Sequence, residues 1–206
     1  AALRGRWPGV AAHGGYVSPG NVSQVIESHL GPGDAASVDL LKIDLDHADC
    51  RFAERILGTL APPKVLHVEY NRVFPPPIRL RERFSESTVD QFAAVEDSWQ
   101  VLAASHRHWR GCSLQAWQDL AARHGYQLWQ ADFNDLTFVQ GDLMDKLGLQ
   151  PAAGSLFEVW LEAAHCAAPG RHLHGHQFLA RLDLRALAES GPEERCRLAG
   201  AWWALE

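Results

Sequence analysis

The stretch "VDLLKIDLDHADCRFAERILGTLAPPKVLHVEYN", Val38 to Asn71, decides the fold. It opens on Val38, Leu40, Leu41 and Ile43, an apolar run too continuous for a half-exposed hairpin strand and suited to a parallel strand buried on both faces. Asp44, Asp46, His47 and Asp49 follow at once. "ADCRFAERILGTL" then sets Phe52, Ile56 and Leu60 at successive helical turns with Leu57 beside them, so a helix starting at Ala48 is expected to bury one stripe. "VLHVE", Val65 to Glu69, supplies a second short strand. Strand, helix, strand at this spacing is a βαβ unit, from which a parallel sheet with a right-handed crossover follows.

Working outward, "YVSPGNVSQVIESHLGPGD" predicts a loop and then a helix. Ser18 caps it, Pro19 takes its first position, Val22, Val25, Ile26 and Leu30 face the core, and "GPG" stops it. Downstream, Arg72 to Gly111 carries three consecutive prolines, Pro75 to Pro77, and many charges. An excursion of this length between strands is usually functional, and one helix is expected in it around Gln91 to Ser105. It also carries His106, His108, Trp109 and Arg110, for which a packing or solvent role is the first reading and a lid over the site the second. In "CSLQAWQDLAARHGYQLWQADFNDLTFVQ", Ser113 caps a helix whose stripe is Leu114, Trp117, Leu120 and Ala121, and Gly125 ends it in the left-handed conformation. "YQLWQA" and "DLTFV", separated by turn-prone Asp132, Phe133 and Asn134, predict an antiparallel pair at one sheet edge. After Gly141 the chain becomes Ala/Leu-rich with proline breaks, and a helical extension is expected over 144–206.

The bulk numbers exclude several functions. With 206 residues, 19 Lys+Arg against 25 Asp+Glu and a net charge of −6, the chain has no basic block to follow a phosphate backbone, so nucleic acid is not an expected partner. No stretch approaches the roughly 20 apolar residues that cross a bilayer, and "AALRGRWPGV" lacks the apolar core of a secretion signal. A soluble, cytoplasmic chain is the expectation. Cys50, Cys112, Cys166 and Cys196 are scattered without a C-x-x-C pair, which predicts buried free thiols rather than a disulfide or a thiolate zinc site.

Ligands of open α/β sheets bind at the carboxyl ends of parallel strands. Asp44 and Asp46 lie at such an end, and two carboxylates there can hold a hard divalent cation or orient a substrate hydroxyl. His47 and Asp49 are the next candidates, for substrate binding, while Asp46 or Asp49 could instead cap the helix. Glu69 and Asn71 close the second strand and should emerge beside Asp44 and Asp46, since neighbouring strands lie about 4.8 Å apart. Asn134 either contributes a further contact or serves its turn. His165, His172, His174 and His176 read as loop histidines rather than a metal cluster. Trp202 and Trp203 suggest docking of the extension onto the domain or a protein partner, including a second copy.

"VDLLKIDLDHADCRFAERIL", "VLHVEYN" and "GCSLQAWQDLAARHGYQLWQADFNDLTFVQGDL" together resemble, in order, the carboxyl-terminal half of FkbM-like S-adenosylmethionine-dependent methyltransferases. The match runs from about Tyr16 to Leu143. The resemblance implies a partial Rossmann-like, class I methyltransferase sheet whose last strand runs antiparallel. It implies a domain over 1–143 with an insertion at about 72–111, and S-adenosylmethionine as cofactor. The acceptor would be a small molecule or glycan methylated on oxygen or nitrogen, with Asp44, Asp46, Glu69 and Asn71 lining the acceptor site, one of them as base or metal ligand. Two features depart from the family. His47 stands where the family has glycine, and no glycine-rich loop follows a buried strand, since "AAHGGYVSPG" has none before it. On this reading the chain enters the fold near its third strand and lacks the cofactor-binding strands. A non-catalytic, methyltransferase-like interaction module is the alternative, and a metal-dependent glycosyltransferase built on the D-x-D of Asp44 and Asp46 is a third.

Overall fold

The computed structural model describes residues 10–30, 34, 37–45, 48–84 and 111–163. The elements in chain order are α1 (Val22–His29), β1 (Leu40–Ile43), α2 (Asp49–Thr59), β2 (Val65–Glu69), α3 (Leu114–Arg123), β3 (Tyr126–Ala131), β4 (Asp135–Gln140), α4 (Gly141–Leu147) and α5 (Leu156–Leu161). The protein is a mixed α/β structure built on one sheet of order β1-β2-β4-β3. β1 and β2 are parallel, with Leu40 opposite Val65 and Ile43 opposite Val68. β4 is antiparallel to both β2 and β3, so the last strand lies between two that run the other way. Among the described residues no helix is long and apolar enough to cross a membrane.

The expected βαβ unit and edge hairpin are both present, and α2 and α3 pack on one face of the sheet. Leu66, Val68, Leu136 and Phe138 point inward and are fully buried, against Phe52, Ala53 and Ile56 of α2 and Leu114, Trp117 and Leu120 of α3. α3 forms as its sequence dictates. The Ser113 hydroxyl accepts from the Ala116 N–H, and Gly125 exits the helix at φ +79°. β1 departs from expectation. Ile43 is 4% exposed but Leu40 is 58% exposed, so the apolar run alternates between faces and is not buried on both. The side-chain period of two puts Leu40 and Lys42 on the outer face, where both are exposed.

α1 starts later than its sequence suggests. Ser18 belongs to a turn in which its carbonyl accepts from the N–H groups of Asn21 and Val22, while Asn21 Oδ1 accepts from the Ser18 N–H at 2.7 Å. Pro19 therefore lies in that turn, ahead of the helix. α2 likewise begins at Asp49, because Ala48 holds a left-handed φ of 54°. The helix expected around Gln91 to Ser105 falls outside the described residues. Beyond residue 143, the described chain is continuous with the core: Met144, Phe157 and Trp160 are buried, and α5 packs on α3. Ser155 and Glu158 start α5 with a reciprocal capping box.

Cys50 and Cys112 are joined as a disulfide across a sequence separation of 62, with a Cα–Cα distance of 6.1 Å. This corrects the expectation of free thiols for these two. Spacing in sequence carried no sign of the pair, since only the fold brings the start of α2 against the strap that precedes α3. Cys166 and Cys196 lie outside the described residues.

Candidate acceptor site at the strand ends

The register carries β1 and β2 to a common rim, with Asp44 one residue beyond Ile43 and Glu69 one beyond Val68. Asp135 of β4 lies opposite Glu69. Side chains of the same parity continue down the outer face: Lys42, His67 and Thr137 stand in one cross-strand row. Lys42 Nζ bridges Asp44 Oδ2 at 3.1 Å and Asp135 Oδ1 at 3.3 Å. His67 Nε2 lies 3.5 Å from the same Asp135 oxygen, and its Nδ1 lies 3.1 Å from Thr137 Oγ1. An ionised Asp135 can only accept, so the pairing fits an Nε2–H tautomer whose bare Nδ1 takes the Thr137 hydroxyl proton. Beside this row, Asn134 Nδ2 donates to Glu69 Oε1 at 2.9 Å.

The structure therefore brings Glu69 and Asn134 into direct contact and links Asp44 to them through Lys42 and Asp135. It directs two other candidates into the loops that carry them. Asp49 is 2% exposed, and its carboxylate accepts the Leu45 N–H at 2.9 Å, which closes the β1–α2 turn. Asn71 Oδ1 accepts the Val73 N–H at 2.9 Å, and the Asn71 N–H donates to the Cys112 carbonyl at 2.7 Å. Asp46 and His47 lie outside the described residues, as do His106, His108, the histidines 165, 172, 174 and 176, and Trp202 and Trp203. Among the described residues no three His, Cys, Asp or Glu side chains converge as a metal site.

Lys42, His67, Tyr70, Arg72, Glu82 and Asp135 were not singled out by sequence. Lys42 and His67 could have been, because they precede Asp44 and Glu69 by two residues on the same strand face. Burial pulls the Lys42 ammonium down, but the hydrogen bonds and charges of Asp44 and Asp135 outweigh it and raise its pKa overall. The site thus keeps a cation between two carboxylates.

Below the rim, the Arg72 guanidinium carbon sits 3.3 Å from the Phe133 ring centre, a cation–π contact. Burial pulls Arg72 below its ordinary pKa, opposed by Tyr70 and Glu69. Tyr70 Oη is buried with no hydrogen-bond partner among the described residues. Burial pushes the Tyr70 phenol up, with Arg72 opposing and Asp132 and Asp135 reinforcing. Tyr126, whose hydroxyl donates to the Pro63 carbonyl, is pushed up by burial too, with Gln140 opposing. Because both folded-state values are raised, these phenols stabilise the fold fully below the unfolded value of about 10 and lose that contribution as pH rises through the folded values. Two of the three tyrosines are therefore expected to ionise only together with unfolding. An alkaline titration following phenolate absorbance and near-ultraviolet circular dichroism checks this, and three ionisations complete before the dichroism changes would refute it.

On the inner side of β1, an apolar groove of about 510 Å³ runs between the segment before α1, β1 and α2, lined by Tyr16, Val17, Ile26, Leu41, Ile43 and Phe52 among others. It reaches the rim at Lys42 and Leu45. No family model, no curated protein and no solved structure matches the chain.

Proposed function

We propose that this chain is the acceptor-binding part of an S-adenosylmethionine-dependent O- or N-methyltransferase. The observation that carries the reading is the sheet. A parallel β1–α2–β2 unit is followed by a hairpin whose last strand enters antiparallel between β2 and β3, the arrangement that the FkbM-like resemblance implies for a Rossmann-like methyltransferase. Glu69 and Asn134 are in contact at the strand ends, and Asp44 reaches Asp135 on the same edge through Lys42; α/β sheets present ligands at such ends. Glu69, oriented by Asn134, receives a hydroxyl or amine hydrogen bond from a small molecule or glycan. The His67 ring, held between Asp135 and Thr137, lies on the same strand face two residues before Glu69.

Among the described residues, two backbone donors of the β1–α2 turn, the Leu45 N–H and the Ala48 N–H, are engaged by Asp49 and Glu82 and so are not offered to a cofactor's polar groups. That engagement also favours the second reading, a non-catalytic methyltransferase-like module whose C-terminal residues contact a protein partner or another copy. For location we keep the cytoplasm and read the cysteine pair as one of the redox-responsive disulfides found there.

The test is acceptor binding. In a panel of neutral sugars and small alcohols read by ligand-observed NMR, a binder is expected to lose affinity about ten- to hundredfold on Glu69→Gln, the scale of one hydrogen bond to a charged group. Asp44→Asn should weaken the same ligand. Binding indifferent to both substitutions removes the acceptor assignment and leaves the non-catalytic module. Calorimetric titration of the chain with S-adenosylmethionine is expected to show binding weaker than about micromolar, and tighter binding would place a cradle where none is assigned here.

A further inference from the structure

We infer that the Cys50–Cys112 disulfide is a redox latch on the acidic rim: oxidised, it clamps the β1–α2 turn against the strap of residues 111–113, and reduced, it releases both. Cys50 is the second residue of α2, directly after the turn that carries Asp44 and Asp46, and both sulfur-bearing residues are fully buried. The clamp has a second jaw in Glu82. One carboxylate oxygen of Glu82 accepts the Ala48 N–H at 3.0 Å and the Gly111 N–H at 2.6 Å, so the same two loops are tied on either side of the disulfide.

Something must hold this turn, because Ala48 sits at φ 54°, a region that an L side chain leaves unless its surroundings fix it. Gly111, at φ +67°, gives the opposite loop the same left-handed entry into the bond without that cost. Once the sulfur link is cut, only hydrogen bonds oppose the relaxation of Ala48: the Glu82 carboxylate on its N–H, the Asp49 carboxylate on the Leu45 N–H, and the first N–H groups of α2 on its carbonyl. The turn then has two arrangements, and the disulfide selects between them. Strap 111–113 also touches the second rim strand's exit through Asn71 N–H and the Cys112 carbonyl, so release reaches both strand ends.

The chemistry balances with a thiol reductant. A thiolate attacks one sulfur to give a mixed disulfide, a second thiol displaces it, and the products are the Cys50 and Cys112 thiols and an oxidised dithiol. Since both residues are buried, attack requires the strap to lift, so reduction itself follows the local opening it controls. In a reducing compartment a pair of this kind is opened and closed by thiol exchange, whatever it adds to global stability. The latch concerns the movement of the rim and holds whether or not the rim takes a methyl acceptor.

Two measurements test it. Alkylation of the denatured, unreduced protein is expected to label two of its four cysteines; labelling of all four overturns the latch at once. Hydrogen exchange is then compared for oxidised protein, protein reduced with dithiothreitol, reduced protein reoxidised with glutathione disulfide, and the Cys50→Ser/Cys112→Ser variant. Peptides covering 44–50 and 111–113 are expected to exchange at least about tenfold faster on reduction and in the variant, while β2 and β4 stay protected over the same labelling time. Reoxidation should restore the slow rate. Glu82→Gln should speed the Ala48 and Gly111 amides with two thiols still masked. Unchanged rim exchange overturns the latch, as does an acceleration at the rim no greater than that of β2 and β4.

Discussion

Replacing Trp117 by alanine is expected to lower the unfolding free energy by about 3–5 kcal/mol, the scale for truncating a fully buried tryptophan. Trp117 is completely buried on α3 beneath the sheet, and its Nε1–H donates to the Glu69 carbonyl at 2.9 Å. That bond satisfies a carbonyl at the last residue of β2, whose side chain holds Asn134. Trp160 of α5 repeats the device, with its Nε1–H donating to the Arg72 carbonyl at 2.8 Å. Two indoles therefore hold the exit of the strand that carries the rim, and packing and site geometry share residues. Trp117→Phe separates the two contributions. It keeps most of the ring volume and removes the indole hydrogen bond to the Glu69 carbonyl, which costs about 0.5–1.5 kcal/mol. Chemical denaturation is the measurement, with a shifted midpoint and an unchanged slope expected for both variants. A loss under about 1 kcal/mol for Trp117→Ala would mean that α3 does not pack on β2 as described.

The elements with strong local signals were legible before the structure. β2 and β3 have the bounds their residues suggest, and α3 is written out by its cap, its stripe and its terminal glycine. Errors arose where local pattern and tertiary position compete. β1 looked buried on both sides because Leu40 and Leu41 are adjacent, yet a strand at the sheet edge with helices on one face buries only alternate residues. The start of α2 was misplaced by one residue because Ala48 carries no sequence mark of a left-handed φ. At the site, Glu69 and Asp44 could be read from the ends of their strands. Lys42 and His67 share that periodicity, but within a strand a cation or imidazole carries no sequence mark that separates a cross-strand contact from a solvated side chain. Glu82 could not have been found, since its partners Ala48 and Gly111 meet only after the chain has folded. The disulfide was hidden for the same reason.

Removing that disulfide is the second large effect expected. Cross-linking residues 62 apart withdraws about 4 kcal/mol of loop-closure freedom from the unfolded chain, so Cys50→Ala/Cys112→Ala should lose about that much stability. The decisive signature is the pattern among variants. If the link is what matters, either single substitution breaks it completely, and Cys50→Ala, Cys112→Ala and the double variant should all fall by nearly the same amount, far from additive. Reduced wild type should fall with them, because its unfolded chain has regained the same freedom. If instead the two buried side chains stabilise only by packing, the single losses should be small, should sum in the double variant, and a reductant should leave the denaturation midpoint where it was. The two accounts also differ in the unfolded state. The cross-linked chain retains a closed loop when unfolded, so the oxidised protein exposes less surface and should show a smaller denaturant slope than its reduced form. Equal slopes combined with additive single losses would leave no role for the link in stability.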